Sequence, residues 1–231
     1  MYFILIPALL PVFLILRYIY LLDRNEREPL GFVLKVMVWG AVFAIPCITA
    51  ENFMYSFLSS FYDTSTITFA WMENTVGVAL VEEFSKWFVF MALVWKNRNF
   101  DFRYDGIVYA ASVSLGFAAL ENVLYIVSYG TGVSIARAIF AIPGHATFGI
   151  FMGYWLSRGK SFFLRGKKIR MKICKLFSLA IPVLIHGFYD FFLSEQVDQI
   201  GLRSLFFIYV ILLDWFAWRV LKHEFRTDRM L

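Results

Sequence analysis

The chain has 231 residues, of which 60% are hydrophobic, 20% aromatic and only 17% charged, with a formal net charge of +5. Soluble domains run at roughly 45–50% apolar and 25% charged. The excess here comes in long runs that suit a bilayer and not a soluble core, and the small charge, carried in short connectors, excludes a nucleic-acid groove in favour of a membrane surface.

The first apolar run covers residues 2–22. It has no basic leader and no small-residue cleavage site behind it, so it reads as a retained helix and not a signal peptide. Further runs follow at 30–50, 71–95, 106–129, 135–157, 176–194 and 202–221. Each has about 19–25 residues, the span of a hydrocarbon core. A backbone in lipid must satisfy its own hydrogen bonds, which predicts helices; a membrane barrel would show alternating segments of about 10 residues instead. The predicted fold is all-α, a polytopic membrane bundle of about seven transmembrane helices forming one domain over 1–231.

The connectors alternate in charge. Arg24 and Arg27 lie in the first, none in 51–70, then Lys96, Arg98 and Arg103, none in 130–134, eight Lys or Arg in a predicted loop over 158–175, none in 195–201, and Lys222, Arg226 and Arg229 in the tail. By the positive-inside rule the N-terminus is expected outside and the C-terminus in the cytoplasm. Cys47 and Cys174 then fall near opposite faces, which argues against a disulfide or a cysteine metal site. Pro29 suits a first helical turn, whereas Pro46, Pro143 and Pro182 are expected to kink helices.

Several ionisable residues interrupt the apolar runs, where each costs about 2.5–3.5 kcal/mol at a helix centre and therefore points to function. The 71–95 run carries Glu82 and Glu83 with Lys86 three and four residues on, within reach of either. Lys86 offsets part of their charge and leaves one carboxylate free to act as a general base. Glu121 and Asn122 lie in the 106–129 run, His145 in the 135–157 run, and His186 with Asp190 in the 176–194 run. The i, i+4 spacing lets Asp190 orient the His186 ring. Counted from the outer end of each run, Glu82, Glu121, His145 and His186 fall roughly 12–17 Å deep, in one layer at or just outside the midplane.

This layer fits three chemistries. A glutamate can activate water against a peptide bond while histidine supports the oxyanion. Two histidines and a glutamate can hold a metal. The same groups can line a proton or ion path in a transporter, or act as buried ion clusters in a scaffold. Gly-x-Ser-x-Gly, His-Glu-x-x-His and Gly-x-Gly-Asp are absent from the sequence, which disfavours other intramembrane protease types.

The motifs resemble those of the PrsW family of intramembrane proteases, related to the type II CAAX prenyl endopeptidases. The resemblance covers nearly the whole chain: Tyr20-x-x-Asp23, Glu28-Pro29, Glu82-Glu83-x-x-Lys86, Tyr104-Asp105-Gly106, Phe117-x-x-x-Glu121-Asn122, His145 and His186-Gly-x-Tyr-Asp190. It implies a bacterial inner-membrane protease that makes the first cut in a single-span anti-sigma factor, on the extracytoplasmic side. It implies that Glu82, Glu83 and His186 are essential, with His145, Glu121 and Asp190 contributing. The residues themselves favour Glu82 as the base and His186 and His145 as the oxyanion support, with Lys86 holding the charge of the pair and Asn122 beside Glu121 in a supporting place. Glu51 and Asn52 lie outside the family pattern and receive no role. No cofactor is predicted, with zinc left open, and the expected partners are a membrane-spanning protein and the bilayer.

Overall fold

A computed structural model describes residues 2–23, 26–130, 132 and 134–231; Arg24, counted above with the first basic connector, lies outside them. The architecture is all-helical. In chain order it comprises α1 (Tyr2–Leu22), α2 (Leu30–Ser59), α3 (Ile67–Met72), a π-helical segment (Glu73–Ala79), α4 (Leu80–Leu93) and α5 (Asp105–Tyr129). There follow α6 (Ser134–Ala136), a second π-helical segment (Arg137–Ala141), α7 (Ile142–Leu164), α8 (Lys168–Leu193), α9 (Glu195–Gln199) and α10 (Leu205–Arg226). Every predicted run is helical. Among the described residues, four helices are long and apolar enough to cross a membrane, where the sequence predicts about seven spans: Leu30–Ser59, Asp105–Tyr129, Arg137–Leu164 and Lys168–Leu193.

α5 is the central post, buried from Asp105 to Ala119. Small residues let its neighbours approach closely on two sides. A Cβ at Gly40 of α2 would collide with the Val113 carbonyl, and one at Gly153 of α7 with the Gly106 carbonyl. Outward faces are apolar: Leu34, Val38, Val42 and Ile45 form an exposed stripe along α2. In water such a stripe would be a liability, but against acyl chains it is the matched surface.

The helices differ from the predicted runs mainly at their ends. The basic 158–175 segment is not a loop: α7 runs on to Leu164 and α8 begins at Lys168, leaving a three-residue turn. Several of its cations stay exposed on helical backbone, and two at its start find partners. Arg158 pairs with the buried Glu224 at 3.1 Å, and Lys160 donates to the Trp95 carbonyl at 2.8 Å. α2 likewise continues past residue 50 to Ser59. Pro46 and Pro182 lie inside helices, Pro29 flanks the start of α2, and Pro143 opens α7 directly after a π-helical segment. A widened turn there accommodates a ring that would otherwise clash with the preceding turn. Cys47 and Cys174 are free and buried.

In the first connector, Asp23 and Glu28 are buried, and burial pushes both carboxyls up to about 7. The end of the chain packs near by: Asp228 accepts a hydrogen bond from the Tyr104 amide at 2.9 Å.

Candidate active site

The residues singled out from the sequence come together. Glu82, Glu83 and Lys86 lie on the first turns of α4, and all three are buried. The i, i+3 and i, i+4 spacings bring the Lys86 ammonium 2.7 Å from Glu83 Oε1 and 3.0 Å from Glu82 Oε2. Its third contact crosses to α7, where His145 Nδ1 lies 3.0 Å away. Lysine only donates, so Nδ1 must accept, and the ring proton of a neutral His145 sits on Nε2. Nε2 lies 2.8 Å from Glu121 Oε2 of α5, so one row of polar contacts links α4, α7 and α5.

His186 of α8 completes the cluster. Its Nδ1 is 3.0 Å from Glu83 Oε1 and 4.0 Å from Glu82 Oε2, and its Nε2 is 3.1 Å from Asp190 Oδ2. A neutral imidazole has one N–H and satisfies one of these contacts. Satisfying both requires a further proton, on the ring or on a carboxylate. Phe148 stacks on the ring with centroids 4.5 Å apart and fixes its plane.

Two π-helical segments adjoin the site, one just before Glu82 and Glu83 and one just before His145. Such segments recur at functional sites because they rotate the following side chains relative to the preceding helix. Gly187 places α8 against the first of them: a Cβ there would lie 2.7 Å from Thr75 Oγ1. That contact holds His186 beside α4.

Two residues given no role by sequence reasoning also belong here. Arg137 pairs with Glu121 Oε1 at 2.8 Å and donates to Asn122 Oδ1 at 2.7 Å, while its guanidinium covers the Tyr125 ring at 3.8 Å. A charge inside the 135–157 run was the available signal. Glu51 lines the same cavity as Glu82 and Glu121, and its position inside the extended α2 is what sequence periodicity did not reveal.

The cavity encloses about 690 Å³. Glu82, Glu121, His145, His186 and Asp190 face it, and it reaches Tyr129 and Ser194 at the ends of α5 and α8. Those ends adjoin the connectors that lack basic residues in the predicted topology. Glu83 and Lys86 are wholly buried and are not among its lining residues.

The donor set fits a metal ion. Glu82, Glu83 and His186 offer ligand atoms within 4.8 Å of one another, as do Glu82, Glu121 and His145. Glu83 Oε2 is buried with no hydrogen-bond partner. Carboxylate and imidazole are ordinary zinc ligands. Lys86 already supplies one positive charge at the centre of the first set.

A membrane-length helix bundle enclosing a buried carboxylate, imidazole and ammonium centre defines a multi-pass membrane protein equipped for acid–base chemistry. A family model described as PrsW family intramembrane metalloprotease matches residues 28–216. Among curated relatives, "Protease PrsW" of Bacillus subtilis is 35% identical over 241 aligned residues, covering 100% of this chain and 99% of that protein. "Protease PrsW" of Oceanobacillus iheyensis is 39% identical over 192 residues, 83% of each chain. No solved structure matches the chain. The chain belongs to the PrsW family of intramembrane proteases.

Proposed function

We propose that this protease makes the first cut in a single-span anti-sigma factor, on the extracytoplasmic side of a bacterial cell membrane, using Glu82 as the base for water. The single observation that carries the reading is the convergence of Glu82, Glu83, Lys86, His145 and His186 at one cavity. The alternating connector charges support seven spans in a single domain, with the N-terminus outside. The cavity reaches the ends of α5 and α8 that this topology puts outside.

Glu82 is favoured over Glu83 because it faces the cavity, whereas Glu83 is wholly buried between Lys86 and His186. Glu82 takes a proton from water, the water oxygen adds to the scissile carbonyl, and the proton passes to the leaving nitrogen as the C–N bond breaks. Each nitrogen of His186 already faces a carboxylate. Oxyanion support therefore requires the ring to release one, and Asp190, whose side chain is 26% exposed on the cavity wall, is the contact that opens. His145, which also lines the cavity, shares the support of the oxyanion or scissile carbonyl, and Glu121, Asn122 and Lys86 hold the charge and orientation of the site.

A zinc-assisted version of the same reaction is the second reading, favoured by the buried, unpartnered Glu83 Oε2. Glu82, Glu83 and His186 would hold the ion, which when bound lowers the pKa of a coordinated water and polarises the carbonyl.

The test is co-expression with candidate single-span anti-sigma factors, reading the cut position by mass spectrometry. Cleavage outside the cytoplasm, lost in Glu82→Gln and His186→Ala at unchanged protein level, is the expected result. Normal cleavage by either variant removes the assignment. Stoichiometric zinc with loss of activity to a chelator selects the second reading.

A further inference from the structure

A second carboxylate cluster lies at the opposite end of α5. Asp23 follows α1, Glu28 precedes α2 and Asp105 is the first residue of α5. Each offers an oxygen within 4.8 Å of the others. Asp105 lies 16 residues before Glu121, which at 1.5 Å per residue is about 24 Å along the helix. The two clusters are therefore separate.

The three carboxyls are 2%, 4% and 0% exposed. Among the described residues, none of them makes an ion pair. Of the two basic residues between Asp23 and Glu28, Arg27 is exposed and Arg24 lies outside the described residues. The donors present favour charged carboxylates. The Tyr109 hydroxyl donates to Glu28 Oε2, and the amides of Asp101 and Phe102 donate to Asp105 Oδ2. These bonds fix the groups, and among the described residues no donor other than a neighbouring carboxyl reaches the buried Asp23 Oδ2 and Asp105 Oδ1. Buried unpaired charge is costly, and a cation is one way to compensate it.

We propose that Asp23, Glu28 and Asp105 bind a hard divalent cation of the magnesium, manganese or calcium class, which staples the α1–α2 connector to the start of α5. An all-oxygen donor set selects these ions over zinc or copper. An oxygen-to-oxygen spread within 4.8 Å matches a shell with metal–oxygen distances of about 2.0–2.6 Å. Asp23 and Glu28 share one connector and Asp105 lies far along the chain, so one ion ties that connector to α5 at the end of the bundle remote from the cavity.

The test uses the purified full-length protein in detergent, stripped with chelator and titrated with Mn2+ under electron paramagnetic resonance. One saturable Mn2+ site per chain is expected, competed by Mg2+ or Ca2+. It persists in the Glu82→Gln/His186→Ala double variant, which separates it from any metal at the cavity. Asp23→Asn, an isosteric change, weakens it roughly tenfold or more. Absence of saturable binding in the wild type overturns the proposal and leaves protons as the compensating charge. Binding that disappears in the double variant, or that Asp23→Asn leaves unchanged, overturns it too. Should Asp23→Asn not accumulate, the wild-type stoichiometry and the double variant still decide.

Discussion

Lys86 and His145 sit 59 residues apart on different helices, yet the Lys86 ammonium lies 3.0 Å from His145 Nδ1. That one contact fixes the tautomer of the imidazole, because an ammonium has no lone pair to offer. It also makes Lys86 the hub of the site, with Glu82 and Glu83 as its other partners. Phe117 lies against the same ammonium, 4.4 Å from ring centroid to nitrogen, and helps exclude water from it.

Lys86→Met is therefore expected to do more than remove a charge. It leaves two buried carboxylates without their cation, and breaking a buried pair from one side costs about 3–5 kcal/mol. Thermal unfolding in detergent should show a large loss of stability together with loss of cleavage. Nitrogen-15 spectra of the wild type should report a protonated Nε2 and an unprotonated Nδ1 on His145. The opposite tautomer would contradict the contact between the Lys86 ammonium and His145 Nδ1.

Glu82 and Glu83 should separate by phenotype although they adjoin in sequence. Glu82 faces the cavity, and an amide there can still accept from Lys86, which keeps Glu83 as its counter-charge, so Glu82→Gln is expected to lower turnover by roughly a hundredfold or more with a smaller loss of stability than Glu83→Gln. Glu83 is 0% exposed and touches both Lys86 and His186. Glu83→Gln should lower stability as well as activity, because it removes the buried negative charge that lies 2.7 Å from the Lys86 ammonium. Melting curves measured beside cleavage rates distinguish the two; identical behaviour would argue against assigning the base to Glu82.

Arg137 and Glu121 are expected to act as a unit. Arg137 holds both Glu121 and Asn122, and Glu121 in turn meets His145. Arg137→Ala should reduce cleavage by up to about a hundredfold, the scale of a misplaced catalytic group. Adding Glu121→Gln to that variant should cost little more, since both changes break one chain of contacts. Strictly additive losses in the double variant would show that the two residues work independently.

How far the site was legible depended on the kind of contact. Glu82 with Lys86, and His186 with Asp190, follow from helical spacing alone, so their pairing was readable in the sequence. Lys86 with His145 and His186 with Glu83 cross between helices, and only helix packing determines them. Arg137 was visible as a charge in an apolar run, but nothing local tied it to Glu121 across 16 positions. The π-helical segments have no signature in hydrophobic periodicity, and only Pro143 marks one of them. The basic 158–175 segment looked like a loop because charge density was read as solvent exposure. In the fold most of its cations are exposed, but several of these stand on helical backbone, and Arg158 and Lys160 reach inward to hydrogen-bond partners. Asp23, Glu28 and Asp105 converge only because α1, α2 and α5 meet at one end.

Gly187 tests whether the approach of α8 sets the geometry of His186. A Cβ at this position would lie 2.7 Å from Thr75 Oγ1 and 3.0 Å from Thr75 Cα, so even alanine forces the π-helical segment and α8 apart. Overpacking of this kind costs about 1–3 kcal/mol, which the bundle can absorb without unfolding. The catalytic cost is larger in proportion, because His186 adjoins the clash and its 3.0 Å contact with Glu83 spans the same interface. Gly187→Ala should lower cleavage more than it lowers protein level, and Gly187→Val more again. Thr75→Ala removes the nearest obstructing atom and should restore part of the activity of Gly187→Ala. Full activity in Gly187→Val would mean that the α8 contact with the π-helical segment does not position the imidazole.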